Sequence, residues 1–160
     1  MFKYNKTKDG FTILEILVAM LVVTIGGLTA YVMVQQIVFS TFASSYRLTA
    51  AYLAKEGIEI VRNIRDTNWL EQEDWDNDLV AGDWEADFND SPPLVLHTAR
   101  KLRFDNSFYN YDSGTETRYE RKITITPDGL DKLKIFVEVK WTEKGNTHTI
   151  TIQESLYNWY

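Results

Sequence analysis

Apolar positions fall into three regimes along the chain. Between Phe11 and Val34 they are nearly continuous, and residues 16–34 carry no charge. A helix of that span is roughly 28 Å long, close to the hydrocarbon thickness of a bilayer. The length predicts a membrane span rather than a buried core helix. Gly26 and Gly27 interrupt the run, and membrane helices tolerate glycine better than soluble ones do.

From Ser40 the polarity rises while the helical period persists. Phe42, Tyr46, Ala50, Leu53, Gly57, Ile60 and Ile64 recur every three or four positions, which marks one face of an amphipathic helix. The turn-prone Asp66-Thr67-Asn68 predicts its end, so one helix is expected over about residues 12–65. Gly57 on the apolar stripe predicts close approach of another element, such as a strand. Lys55, Glu59 and Arg62 fall on the opposite face and are expected in solvent.

After Pro92-Pro93 the period shortens to two. Residues 94–97, 102–111, 119–126, 133–141 and 148–156 read as strand segments. The last two form a hairpin over Glu143-Lys144-Gly145-Asn146. The expected fold is α+β: a long N-terminal helix packed on an antiparallel sheet of about four strands. Its parts are a basic leader (1–10), an apolar half-helix (11–39), an amphipathic half-helix (40–66), an acidic connection (67–93) and a sheet head (94–160). The aromatic ending Leu156-Tyr157-Asn158-Trp159-Tyr160 is expected to pack rather than fray.

Charge sharpens this division. The formal net charge is −6, which argues against direct binding to nucleic acid. Residues 66–99 hold ten acids and no Lys or Arg. Lys3, Lys6 and Lys8 precede the apolar run, so the positive-inside rule puts that end in the cytoplasm and the head outside. The chain has no cysteine, which removes disulfides, thiolate metal sites and cysteine nucleophiles.

One acid is out of place. Glu15 is the only charge between Phe11 and Tyr46, and a charge within a membrane helix is costly unless it lies near the interface or finds a partner. One helical turn separates it from Phe11, so it lies about 6 Å along the axis from that residue. A free amine at Phe11 would be cationic below a pKa of roughly 8 and offset the cost. Two local alternatives stand beside this: Glu15 complements its own helix N-terminus, or it pairs within its own chain.

Gly10-Phe11-Thr12-x-x-Glu15, behind a short basic leader and ahead of an apolar helix, resembles the class III leader of type IV prepilins and type II secretion pseudopilins. The run Ile13-Leu14-Glu15-Ile16-Leu17-Val18-Ala19 leans towards the minor-pilin and pseudopilin branch. The resemblance implies cleavage by a prepilin peptidase between Gly10 and Phe11, followed by N-methylation of Phe11. It implies that Glu15 pairs with the terminal amine of a neighbouring subunit, with other pilins, an inner-membrane assembly platform and the lipid bilayer as partners. Many pilins carry a proline midway along the membrane helix. None lies between Phe11 and Ser91, so flexibility there would fall to Gly26 and Gly27. The competing reading is a non-polymerising, single-pass anchored binding domain or enzyme.

Other chemistry is sparse. Asp74, Asp76, Asp78 and Glu85 match positions one, three, five and twelve of a calcium loop. Leu79 stands where such a loop needs glycine, and Gly82-Asp83-Trp84-Glu85-Ala86-Asp87-Phe88 alternates like a strand. That pattern favours an acidic turn leading into a strand, with Trp84, Ala86 and Phe88 inward and Asp83, Glu85 and Asp87 outward. Calcium is the second reading, because some pseudopilins bind it. His97 and His148 belong to no ligand-spaced cluster, and no catalytic motif appears. The expectation is a structural subunit and not an enzyme.

Overall fold

Helix-forming residues without proline fill the first half of the chain, and they form a single element, α1 (Ile13–Glu71). The computed structural model describes residues 10–87 and 94–159. The lysines of the leader, together with Phe88, Pro92, Pro93 and Tyr160, lie outside the described residues. The chain divides into two units, Met1–Ser44 and Ser45–Tyr160.

In the first unit α1 presents its apolar side chains outward, and its apolar window is not buried at all. Its hydroxyls are satisfied within the helix. Thr29 Oγ1 donates to the Ile25 carbonyl at 2.7 Å, Thr41 Oγ1 to that of Ile37 at 2.9 Å, and Thr24 Oγ1 to that of Met20. Such back-bonding lets Ser and Thr sit in an apolar medium without orphaned donors. Gly26 and Gly27 do not break the helix, and a methyl group on either meets nothing within 4 Å.

In the second unit α1 packs on a sheet. The strands are β1 (Gly82–Glu85), β2 (Val95–Leu96), β3 (Lys101–Phe104), β4 (Tyr109–Asn110), β5 (Thr115–Pro127), β6 (Lys132–Glu143) and β7 (Asn146–Tyr157). All pairings are antiparallel. Strand β5 is the hub. One edge pairs with β6, which pairs with β7. The other edge is shared, with β3 beside its first half and β1 beside its second. The sheet therefore has seven strands rather than about four. The acidic connection contributes β1, and residues 102–111 split into β3 and β4 because Asp105 turns the chain. Its Oδ1 accepts from the N–H groups of Ser107 and Phe108.

The core lies between α1 and the inner sheet face. Leu133, Ile135, Val137, Val139 and Trp141 of β6 are buried in strict alternation, as are Tyr119, Arg121, Ile123 and Ile125 of β5. The helix meets them with Ala50, Leu53, Ala54, Gly57, Ile58 and Val61. The expected stripe is thus rotated: Phe42 is exposed, and Ile60 and Ile64 are only partly buried. Small residues face the sheet because they allow closer approach. A Cβ on Gly57 would lie 2.9 Å from Val137 Cγ1 and 3.3 Å from Arg121 Cδ.

Arg121 is the least expected member of this layer, at 0% exposure. Its guanidinium donates to the Leu53 carbonyl of α1 at 3.1 Å and to the Ala86 carbonyl at 2.6 Å, and it stands 3.1 Å from Glu56 Oε1. It ties helix, β5 and the end of β1 together. A buried cation persists only with such partners.

The helix also outlasts its expected stop. Asn68 is buried, and its amide donates to the Trp75 and Asn77 carbonyls at 3.2 and 2.8 Å, organising the following loop instead of ending the helix. The end comes at Gln72, whose φ is 61°. Its N–H donates to the Trp69 carbonyl at 3.2 Å, and the Glu73 N–H to that of Asn68 at 2.9 Å. This is the Schellman pattern, with Gln where Gly is usual. Arg62, expected in solvent, bonds to Glu154 of β7 at 2.6 Å and also to Glu59.

Candidate functional site

The start of α1 is set by Thr12. Its hydroxyl oxygen accepts from the Glu15 N–H at 3.2 Å, and its carbonyl accepts from the Ile16 N–H at 3.2 Å. Threonine here is an N-cap, satisfying donors that a helix start otherwise leaves orphaned. Gly10 and Phe11 therefore precede the helix as exposed, non-helical backbone, and a methyl group on Gly10 would meet nothing within 4 Å. The Gly10–Phe11 peptide is open to approach.

Glu15 falls in the first turn of α1, where a negative charge complements the helix dipole. It is exposed and shares one shallow apolar groove with Phe11, Ala19, Met20 and Val23. Phe11 and Glu15 thus line the same groove at the start of α1. The carboxylate has no cationic partner among the described residues.

Among the described residues no group of three or more His, Cys, Asp or Glu side chains stands close enough to hold a metal ion. The calcium-like spacing of Asp74, Asp76, Asp78 and Glu85 is therefore not realised as a ligand cluster. Asp74, Asp76 and Asp78 belong to the turns after α1, whereas Glu85 ends β1. Nor is Glu85 outward in solvent as the alternation predicts: it is at 0% exposure. The alternation itself holds, with Trp84 on the core side, but residues 97–100 fold over Glu85. Its carboxylate accepts from the Thr98 N–H at 2.8 Å, the Arg100 N–H at 3.1 Å and Arg100 Nε at 2.7 Å. His97 Nδ1 stands 3.2 Å away, outside hydrogen-bonding direction. Burial pushes the Glu85 carboxyl up, but those bonds and the Arg100 charge more than offset it, leaving it below the ordinary range. Asp87 is likewise buried, accepting from the Tyr111 N–H at 3.3 Å. Both acids are structural anchors.

A family model described as the prokaryotic N-terminal methylation motif matches residues 5–31. The chain carries the class III leader of type IV pilins and pseudopilins. The match spans Gly10, Phe11, Glu15 and both glycines of the apolar helix, and it leaves the head unmatched. No curated protein and no solved structure matches the chain. The matched leader, with one helix among the described residues long and apolar enough to cross a membrane, supports a type IV pilin-like subunit and is consistent with a single-pass anchor. The long helix packed on an antiparallel sheet agrees with a pilin fold.

Proposed function

We propose that the chain is a non-enzymatic structural subunit, a minor pilin or pseudopilin, that assembles by helix packing into a type IV pilus or pseudopilus. Its basic leader stays in the cytoplasm, its apolar helix spans the inner membrane, and its head lies outside. A prepilin peptidase cuts between Gly10 and Phe11 and methylates the new amine of Phe11. Glu15 then pairs with that amine on a neighbouring subunit. The assembly platform and other pilins are the partners.

The observation that carries this reading is the exposed first unit. Its helix displays Leu14, Leu17, Leu21, Val22, Leu28 and Val32 with no protein surface to cover them. Lipid covers such a helix before assembly, and copies of itself cover it afterwards. Glu15, without a cationic partner among the described residues, gains most from a neighbour's amine in that apolar medium. The place of Glu15 in the first turn of α1 favours a second reading, in which Glu15 acts only on its own helix N-terminus. Replacement by Gln or Val separates the two. Filament assembly is expected to fail while processing and membrane insertion continue; equal assembly by Glu15→Val rules out pairing between subunits.

A further inference from the structure

We propose that the cleft between the last turn of α1 and the C-terminal tail binds a neutral glycan. The cleft belongs to the head unit and is an open groove of roughly 880 Å³, within the size range of small-ligand sites. Its apolar surfaces are Trp69, Trp75 and Trp159, with Leu70 at the rim. Trp159 is 69% exposed and Leu70 is 85% exposed. Trp159 meets Arg65 and Trp69 on its inner side, and the part of the indole that stands in water at the cleft mouth offers a stacking surface.

The polar lining selects the ligand class. Asp66, Glu73 and Asp74 offer carboxylate acceptors, and the amides of Gln72 and Asn158 both donate and accept. An anionic ligand meets three carboxylates. A cation meets the positive charge that Arg65 already places beside both rings. The Arg65 guanidinium lies 4.6 Å from the Trp69 ring centre and 5.1 Å from that of Trp159, held by two bonds to Asp66 Oδ1 at 2.7 and 2.9 Å. The remaining ligand combines a flat C–H face for an indole with hydroxyls that both donate and accept. A pyranose ring has that chemistry.

The walls are also held in place before any ligand arrives. Asn68 bonds the Trp75 and Asn77 carbonyls, and Gln72 and Glu73 close the helix end. The Asn158 N–H donates to the Asp131 carbonyl at 2.9 Å, and Trp159 lies 5.9 Å from Trp69 between ring centres. Preorganisation of this kind lowers the entropic cost of binding.

The test uses the full chain in a zwitterionic detergent, since a glycoside detergent would compete. Maltotriose, cellotriose, triacetylchitotriose and globotriose serve as probes, read by tryptophan fluorescence and saturation-transfer NMR. At least one is expected to bind saturably. Trp159→Ala is expected to weaken it about tenfold, the size of one aromatic stacking contact, while Trp159→Phe stays within about threefold. Should Trp159→Ala lower the melting temperature of the head, Asn158→Ala carries the test, with loss of about threefold expected for one hydrogen bond. The proposal is overturned if no probe binds or if binding ignores these variants. It is equally overturned if Trp159→Ala instead abolishes self-association, which would mean that another copy covers the cleft.

Discussion

One helix serves two environments, and the difference shows in what each half does with its side chains. In the first unit large apolar residues such as Leu17, Leu21 and Met33 point outward all round. In the second unit the buried face is built from Ala50, Ala54 and Gly57, with Leu53, Ile58 and Val61 between them. A helix meeting lipid needs apolar bulk on every side, and one meeting a sheet needs small residues on one side so that backbones approach. The first half is therefore specified by composition and the second by shape. Substitutions in the two halves should fail in different ways.

The largest effect is expected at the join of helix and sheet. Arg121→Ala removes the donor to the Leu53 and Ala86 carbonyls and leaves Glu56 without its partner. Loss of about 3–5 kcal/mol of head stability is expected, read as a lower denaturation midpoint with membrane insertion unchanged. Leu21→Arg should do the converse. Its cost of about 2.5–3.5 kcal/mol falls on membrane insertion, measured by the membrane-bound fraction, with head melting unaltered.

Smaller effects sharpen the contrast. Gly57→Ala places a methyl group 2.9 Å from Val137 Cγ1. The overpacking costs about 1–3 kcal/mol and the gain in helix propensity returns about 1, so a net loss near ~1 kcal/mol is expected. Gly26→Ala and Gly27→Ala meet open space, and in a head-melting assay neither should register. A further effect, visible only on the acid side, concerns Glu85. Its folded carboxyl titrates below the ordinary value, so its contribution is present above an ordinary carboxylate pKa of about 4.3 and is lost as pH falls through the folded value. A melting-temperature series from pH 6 to pH 2 should show Glu85→Gln with a shallower acid-side fall than the parent chain. Identical slopes would mean that Glu85 carries no acid-linked stability.

The contrast also explains what could be read in advance. Residues 16–34 declared themselves because apolar continuity has one common meaning at that length. The β6–β7 hairpin was equally plain, since strict alternation flanks the two-residue turn Lys144-Gly145, both with positive φ. The stripe on α1 was legible in Ala50, Leu53 and Gly57, with Tyr46, Ile60 and Ile64 packed at its flank, whereas Ala54, Ile58 and Val61 complete the buried face because the sheet also covers that side. Arg121 shares strand parity with Tyr119, Ile123 and Ile125, so its burial was signalled, but a charge is usually read as outward. Glu85 and Asp87 lay beyond local reading, because their cover arrives from residues 97–100 and from Tyr111. That Phe11 and Glu15 lie along one groove follows from sequence, because four positions is a local distance. The Trp69–Trp159 cleft joins residues ninety positions apart and has no local signature.

The central claim is that the apolar helix stays with the mature protein behind a new amine at Phe11. Mass spectrometry of the intact chain extracted from membranes tests it most directly. The account predicts a polypeptide that begins at Phe11 and carries one added methyl on its amine. A chain still beginning at Met1, or one cut after the apolar run, would contradict it.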